Sequence, residues 1–216
     1  MTKIKIKGLL FDLDGVIVST EYNHFLAWKN TAEIVGVPFN EDDNEQLKGI
    51  SRVDSLKKIL ELGNKFITEE RFNELLNKKN EFYLNSIKDI NQSNLLPGVL
   101  MVLNQAKVYG LKCGIGSSSK NARFILSKLQ IYNYFSVIVD GNDVLFPKPN
   151  PEVFLKGAQQ MGLDPSECIV FEDAKSGVEA AKTGGFKAIG VGNPALIDFA
   201  DSYLSNFNEF SIEEYG

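Results

Sequence analysis

The segment Leu9-Leu10-Phe11-Asp12-Leu13-Asp14-Gly15 is the most informative part of the sequence, because an apolar run of strand character ends there in two acids and a turn-forming glycine. Open α/β sheets place their ligand sites just beyond the carboxyl ends of strands. Side chains two residues apart point to the same side of a strand, so Asp12 and Asp14 repel each other unless a cation joins them or one keeps a proton. Mg²⁺ would meet the first condition and a general acid the second. Two acids facing water in a plain turn are the alternative.

The composition limits the class of protein. The chain has 216 residues, 44% of them hydrophobic, which is enough for one domain or for a domain with a smaller insertion. A net charge of −5 argues against nucleic acid or an anionic membrane surface as the partner. No stretch of the sequence reaches membrane-spanning length, and the opening residues lack the continuous apolar run of a signal peptide, so we expect neither element. Cys113 and Cys168 each fall in an apolar strand-like run, which predicts reduced, buried thiols and a cytoplasmic protein, with a disulfide between them as the alternative.

About seventy residues after the first strand have helical character. Phe25, Trp28, Ala32 and Val35 recur at helical spacing and predict a helix over 22–35. Similar patterns predict further helices over 41–48, 53–62 and 68–87. Together they predict a small bundle of four helices.

From Leu96-Pro97-Gly98 onward, helices and strands alternate. We predict helices over 99–109, 121–130, 151–161 and 176–183, and strands over 111–116, 137–140, 168–172 and 188–191. This alternation predicts an α/β fold with a Rossmann-like parallel sheet and helices on both faces. Residues 1–16 and 96–216 would form this core, and residues 17–95 an inserted four-helix cap that two hinge linkers carry as a lid.

Three further signals follow predicted strands and should reach the same rim as Asp12 and Asp14. Residues 117–121, Ser-Ser-Ser-Lys-Asn, offer hydroxyl and N–H groups to an anion, although serines that begin a helix are commonly caps. Lys148 stands between two prolines that restrict the backbone, or is simply a solvated loop lysine. Glu172 and Asp173 end an apolar strand. In this order, the four signals resemble the haloacid dehalogenase superfamily of phosphotransferases.

The resemblance implies a role for each matching residue. Asp12 would be the nucleophile that carries the phosphoryl group, and Asp14 the general acid and base. Mg²⁺ would be held by Asp12, Asp173 and the backbone carbonyl of Asp14, with Glu172 among the ligands or beside them. The oxygens of the transferring phosphate would be bound by Ser117, Ser118 and Lys148.

The strings at residues 20–29 and 44–56 further resemble the sugar phosphomutases of that superfamily. This implies interconversion of β-D-glucose 1-phosphate and β-D-glucose 6-phosphate through an aspartyl phosphate and β-glucose 1,6-bisphosphate, which also primes the enzyme. Ser19 and Ala174 depart from the common pattern, where aspartate and serine are frequent. The distal phosphate and substrate would be bound by Arg52, Lys48, Gly49, Ser51, Ser119, Lys120 and Asn121, and closure would involve Thr20, His24, Trp28 and Lys79.

Other interpretations remain open at this point. Arg52 and Lys48 could be solvated helix charges, His24 a surface histidine, and Trp28 part of the cap core. A sugar-phosphate phosphatase of the same superfamily is the alternative activity, and a non-catalytic sugar-phosphate sensor is a third. We expect small sugar phosphates as partners and a monomer.

Overall fold

A computed structural model describes residues 5–196 and 198–214, so the expected limits of the core at residues 1 and 216 lie outside the described part. Apart from a final short strand, Ser202–Leu204, the strands and helices follow the predicted order, with bounds within a few residues of the predictions. In chain order the elements are β1 (Gly8–Phe11), α1 (Glu21–Ile34), α2 (Glu41–Glu45), α3 (Arg52–Leu62), α4 (Glu69–Ser86), α5 (Val99–Val108), β2 (Lys112–Gly116), α6 (Ala122–Lys128), β3 (Val137–Val139), α7 (Glu152–Met161), β4 (Cys168–Glu172), α8 (Lys175–Thr183), β5 (Lys187–Val191) and β6 (Ser202–Leu204).

The six strands form one sheet in the order β3-β2-β1-β4-β5-β6, and every neighbouring pair is parallel. The predicted parallel α/β fold is therefore confirmed. Strands β2 and β3 lie on one side of β1, and strands β4, β5 and β6 lie on its other side, so the direction in which strands are added reverses after β3. Such a reversal between two neighbouring strands opens a crevice at their carboxyl ends, where α/β proteins bind ligands.

Apolar side chains cover both faces of the central strand. Leu9 and Phe11 belong to one core cluster and Leu10 to another, as the alternation of side chains along a strand requires. Phe11 stacks on Phe171 of the neighbouring strand with ring centroids 5.0 Å apart. These contacts lock β1 and β4 together and fix the positions of the residues that follow them.

Helices α1–α4 lie between β1 and β2 in the chain and pack around a cluster that includes Trp28, Leu56 and Leu75. Side-chain caps explain where three of them begin. The side-chain oxygens of Asn40, Ser51 and Thr68 accept from the backbone N–H groups three residues further on. Helix α2 ends at Glu45 rather than at the predicted residue 48. Residues 46–50 form a turn instead, in which Gly49 has a φ of +74°.

Both cysteines are free and buried, as predicted. Cys113 pairs in register with Leu9 on one side of β1, and Cys168 pairs with Gly8 on the other side. Two strand spacings of about 4.8 Å each lie between their Cα atoms. Their total exceeds the roughly 7 Å between Cα atoms that a disulfide tolerates. Among the described helices, none is both long enough and apolar enough to cross a membrane.

Candidate active site

Three carboxylates meet beyond the carboxyl ends of β1 and β4. Phe11 and Phe171 are register partners in these parallel strands, so the next residues along each strand emerge side by side. Asp12, Glu172 and Asp173 each offer a carboxylate oxygen, and these three oxygens lie within 4.8 Å of one another. All three residues are buried. Hard divalent cations prefer such a set of oxygen ligands.

Lys148 lies against this group. Its Nζ donates to Asp12 Oδ1 at 2.5 Å and to Glu172 Oε1 at 2.5 Å. Although burial alone would lower the pKa of Lys148, the charges of Asp12 and Glu172 hold it above its ordinary value. The lysine between the two prolines is therefore not the solvated loop residue of the alternative interpretation.

One ammonium group does not fully compensate these acids. Burial raises the pKa of Asp12 to about 7 despite the nearby charge of Lys148. Burial and the charges of Glu172 and Asp12 raise the pKa of Asp173 well above its usual range. Since a divalent cation would relieve the crowding of negative charge, the donor set and its electrostatics both fit a metal ion.

Gly15 lets the chain turn tightly beneath this group. Its φ of +80° lies in the left-handed region, and a Cβ atom there would lie 2.2 Å from Asp173 Oδ2. A side chain at this position would displace a carboxylate of the cluster, which explains the glycine that follows the two acids.

The carboxylate of Asp14 lies outside the three-acid group and faces the helices. Its Oδ1 accepts from the hydroxyl of Thr20, and His24 Nε2 lies 3.7 Å from it. The hydroxyl of Tyr83 donates to the same oxygen at 3.5 Å. Burial would raise the pKa of Asp14, but the charge of the nearby His24 and the hydrogen bond from Thr20 hold it below its ordinary value.

Lys79 supports His24 from α4. Its Nζ is 2.9 Å from His24 Nδ1 and 4.6 Å from the ring centroid of Trp28. Burial lowers the pKa of Lys79 to about 7, and the charge of Arg52 acts in the same direction. Burial together with the charge of Lys79 also lowers the pKa of His24. His24 is thus not an isolated surface histidine.

The loop over residues 117–121 connects β2 to α6 and contacts the helical segment. Ser117 is buried, and its Oγ accepts from the backbone N–H of Ser119 at 3.1 Å. The hydroxyl of Ser118 donates to the carbonyl oxygen of Gly49 at 2.7 Å. Asn121 Nδ2 donates to Asn80 Oδ1 on α4 at 2.9 Å. The loop therefore joins the sheet unit to the helices across the site.

A cavity of about 680 Å³ lies between the sheet edge and α1–α4. Of the residues predicted for the site, two lie behind its wall: Thr20 hydrogen-bonds to Asp14 and Glu172 to Lys148. The others all line the cavity: Asp12, Asp14, His24, Trp28, Lys48, Gly49, Ser51, Arg52, Lys79, Ser117, Ser118, Ser119, Lys120, Asn121, Lys148 and Asp173.

Sequence reasoning missed several residues that take part in this arrangement. Tyr83 stands four residues after Lys79 on α4, so helical spacing could have placed both on one face. Glu21, at the start of α1, is 3.0 Å from Lys48 Nζ and lines the same cavity. Asn80 becomes a partner of Asn121 only through the tertiary fold.

The comparisons with known proteins agree with this geometry. A profile of haloacid dehalogenase-like hydrolases matches residues 9–191. The chain is 40% identical to a β-phosphoglucomutase of Bacillus subtilis over 96% of this chain and 93% of that protein. It is 32% identical to a fructose-1-phosphate phosphatase of Escherichia coli over 85% of this chain and 95% of that protein.

A crystal structure of β-phosphoglucomutase from Clostridium difficile is also similar, with 37% sequence identity and a TM-score of 0.93. The similarity covers 97% of this chain and 95% of that chain. With the parallel sheet, the acid group at its edge and the family profile in agreement, the chain belongs to the haloacid dehalogenase-like hydrolase family.

Proposed function

We propose that the protein is a β-phosphoglucomutase, which interconverts β-D-glucose 1-phosphate and β-D-glucose 6-phosphate. The observation that carries this proposal is one cavity lined by two kinds of binding groups. Asp12, Asp173 and Lys148 offer a site for phosphoryl transfer, and Arg52 with Lys120 offers separate positive charge. A mutase must hold a bisphosphate by both phosphates, whereas a phosphatase needs one phosphate site. The similarity to the Bacillus subtilis enzyme over nearly the whole chain supports the same assignment.

A metal ion is part of the proposal. Asp12, Glu172 and Asp173 are the side chains that would hold it, and the backbone carbonyl of Asp14 is a further expected ligand. Mg²⁺ fits this set because it prefers oxygen ligands. When bound, it would neutralise charge between the nucleophile and the phosphate, which otherwise repel each other.

Asp12 is the proposed nucleophile. It attacks phosphorus of β-glucose 1,6-bisphosphate, which primes the enzyme, and the bond to the sugar oxygen breaks as the aspartyl phosphate forms. Lys148 keeps the Asp12 carboxylate oriented through its hydrogen bond. Together with Ser117 and Ser118, it also supplies donors to the phosphate oxygens, where the negative charge of the transition state resides.

Asp14 is the proposed proton carrier. Its lowered pKa favours the ionised form, in which it accepts the proton of the sugar hydroxyl that attacks the aspartyl phosphate. In the opposite half of the cycle it returns that proton to the leaving sugar oxygen. The Thr20 hydroxyl and His24 hold its carboxylate in place, and Lys79 holds His24.

Residues 17–95 are proposed to act as a cap that excludes water, and residues 1–16 and 96–216 as the core. Water that reached the aspartyl phosphate would hydrolyse it and turn the mutase into a phosphatase. The turn at Lys48 and Gly49 contacts the core, since their carbonyl oxygens accept from Ser176 and Ser118 respectively. Closure would bring the cap residue Arg52 together with Ser119, Lys120 and Asn121 around the distal phosphate.

Two free buried thiols support action in a reducing compartment such as the cytoplasm. The proposed partners are small sugar phosphates. The principal alternative is a sugar-phosphate phosphatase, which the similarity to the Escherichia coli phosphatase favours.

Product analysis tests the proposal directly. The purified protein is given β-glucose 1-phosphate, Mg²⁺ and a trace of β-glucose 1,6-bisphosphate, and ³¹P NMR follows the products. We expect glucose 6-phosphate in proportion to the substrate consumed. Stoichiometric inorganic phosphate without glucose 6-phosphate would show a phosphatase. Turnover no greater than that of an Asp14→Asn variant would show a non-catalytic binding protein.

A further inference from the structure

We propose that Arg123 is a positioning residue for the distal phosphate site, acting through the turn over residues 140–143; this role rests on the proposed mutase function. Arg123 lies in the first turn of α6, and its side chain is 44% exposed. It lies outside the wall of the 680 Å³ cavity, as far as the described residues define that wall. Any effect on the substrate must therefore pass through its neighbours.

The guanidinium group of Arg123 connects three points of the β3 end. Nη1 donates to Asp140 Oδ2, and Nη2 donates to the carbonyl oxygen of Ile138 at 2.7 Å and to Asp143 Oδ2 at 3.0 Å. The planar fork of arginine can make all these contacts at once, which a lysine ammonium cannot. The result is a rigid link between α6 and the turn that follows β3.

Asp140 is the buried partner of Arg123 in this link. It is buried, with 1% of its surface exposed. Its Oδ1 accepts from both the N–H and the side-chain amide of Asn142, at 2.8 and 2.9 Å, so the same carboxylate that pairs with Arg123 also shapes the turn. Because a buried carboxylate is stabilised by a paired cation, we expect the turn to lose part of its support when Arg123 is removed.

The turn over residues 140–143 also holds the backbone of the loop over residues 117–121. Asn142 Nδ2 donates to the carbonyl oxygen of Lys120 at 3.1 Å. The N–H of Gly141 donates to the carbonyl oxygen of Ser119 at 3.3 Å. The approach is close: a Cβ atom on Gly141 would lie 2.4 Å from the carbonyl oxygen of Ser118. The peptide planes of Ser119 and Lys120, which are proposed to bind the distal phosphate, are thus oriented by the turn that Arg123 anchors.

The test compares Arg123→Ala, Arg123→Lys and Asp143→Asn with the wild type. The control is Arg71→Ala, which removes an exposed arginine that pairs with Glu74 on its own helix. Four quantities are measured: KM and kcat for β-glucose 1-phosphate, the rate of Asp12 phosphorylation by acetyl phosphate, the Kd of glucose 6-phosphate from Trp28 fluorescence, and the thermal unfolding midpoint. Acetyl phosphate has no distal phosphate, so it reports on the transfer site alone.

For Arg123→Ala we expect KM and Kd to rise by about tenfold, the effect of weakening one hydrogen bond to a charged group. The rate with acetyl phosphate and kcat should stay within about twofold of the wild type, because only uniform binding is lost. Arg123→Lys and Asp143→Asn should show the same pattern more weakly, and Arg71→Ala should match the wild type.

The positioning role is overturned if KM and Kd do not change in Arg123→Ala. It is equally overturned if the acetyl phosphate rate falls in parallel with them, since that marks a general loss of structure. If Arg123→Ala does not fold, the other two variants decide, and an unchanged Kd in both overturns the role. A wild type that forms no glucose 6-phosphate contradicts the mutase function, whereas the Kd comparison still decides the role of Arg123.

Discussion

The buried amino group of Lys148 offers a direct test of how the acid group is held together. Its side chain is fully buried and lies 2.5 Å from both Asp12 Oδ1 and Glu172 Oε1. At an effective dielectric constant of about 20, each contact is worth roughly 6 to 7 kcal/mol of Coulomb attraction. Desolvation of the three charged groups cancels much of that gain.

The replacement Lys148→Met keeps the length of the side chain and removes its charge. Breaking a buried ion pair in this way typically lowers the free energy of unfolding by about 3 to 5 kcal/mol, because the remaining carboxylates are buried without a partner. For a protein of this size, the midpoint of urea unfolding should fall by roughly 1 to 2 M. Added Mg²⁺ should restore more stability to this variant than to the wild type, since the acids can then share a divalent cation.

The matched control is Lys78→Met. Lys78 is 51% exposed and pairs with Glu74 at 2.7 Å on the same helix, and exposed ion pairs of this kind contribute little to stability. Circular dichroism during urea unfolding measures both variants under the same conditions. A loss of stability for Lys148→Met as small as that for Lys78→Met would show that the three buried charges do not depend on one another.

Three further predictions concern other parts of the chain. Gly15→Ala should lower the free energy of unfolding by about 2 to 4 kcal/mol, because backbone strain and a 2.2 Å clash with a carboxylate oxygen combine at this position. Gly110 has a similar φ of +68° but open space around it, so Gly110→Ala should lower the free energy of unfolding by only about 1 kcal/mol in the same urea titration. Burial raises the thiol pKa of Cys113 and of Cys168 to about 12, so a chromogenic disulfide reagent at pH 8 should label neither in the native protein and both in urea; rapid labelling of the native protein would contradict their burial. Arg52→Ala should suppress mutase flux while sparing phosphorylation of the protein by acetyl phosphate, and an equal loss of both rates in a coupled assay would argue against a role at the distal phosphate.

Local patterns were sufficient to predict most elements. Ser51 and Thr68 cap the helices that they precede, because an N-cap depends on a hydroxyl and an N–H only three residues apart. The strand at residues 8–11 follows from its continuous apolar run, which a strand buried on both faces requires. Strand β6 was missed because three half-buried residues at the edge of a sheet carry no periodic signal.

The site was predicted in its residue types more fully than in its contacts. Acids and a lysine after predicted strands indicated a shared rim, because parallel strands end at one edge of a sheet. Their pairing was not predictable: Lys148 contacts Asp12 across 136 positions of sequence, and Tyr83 contacts Asp14 across 69. Arg123 has the appearance of an ordinary helix charge until β3 brings Asp140 beside it.

Local sequence patterns were enough to predict most of the elements, the parallel sheet, and the acids and the lysine at its edge. These depend on periodicity, caps and residue chemistry, which act over a few positions of the chain. Three features depend on the tertiary structure: which acids pair with Lys148, which helical residues hold Asp14, and how the turn after β3 supports the loop at Lys120. Those contacts depend on side chains that are distant in sequence and meet because burial of the apolar strands fixes the register of the sheet.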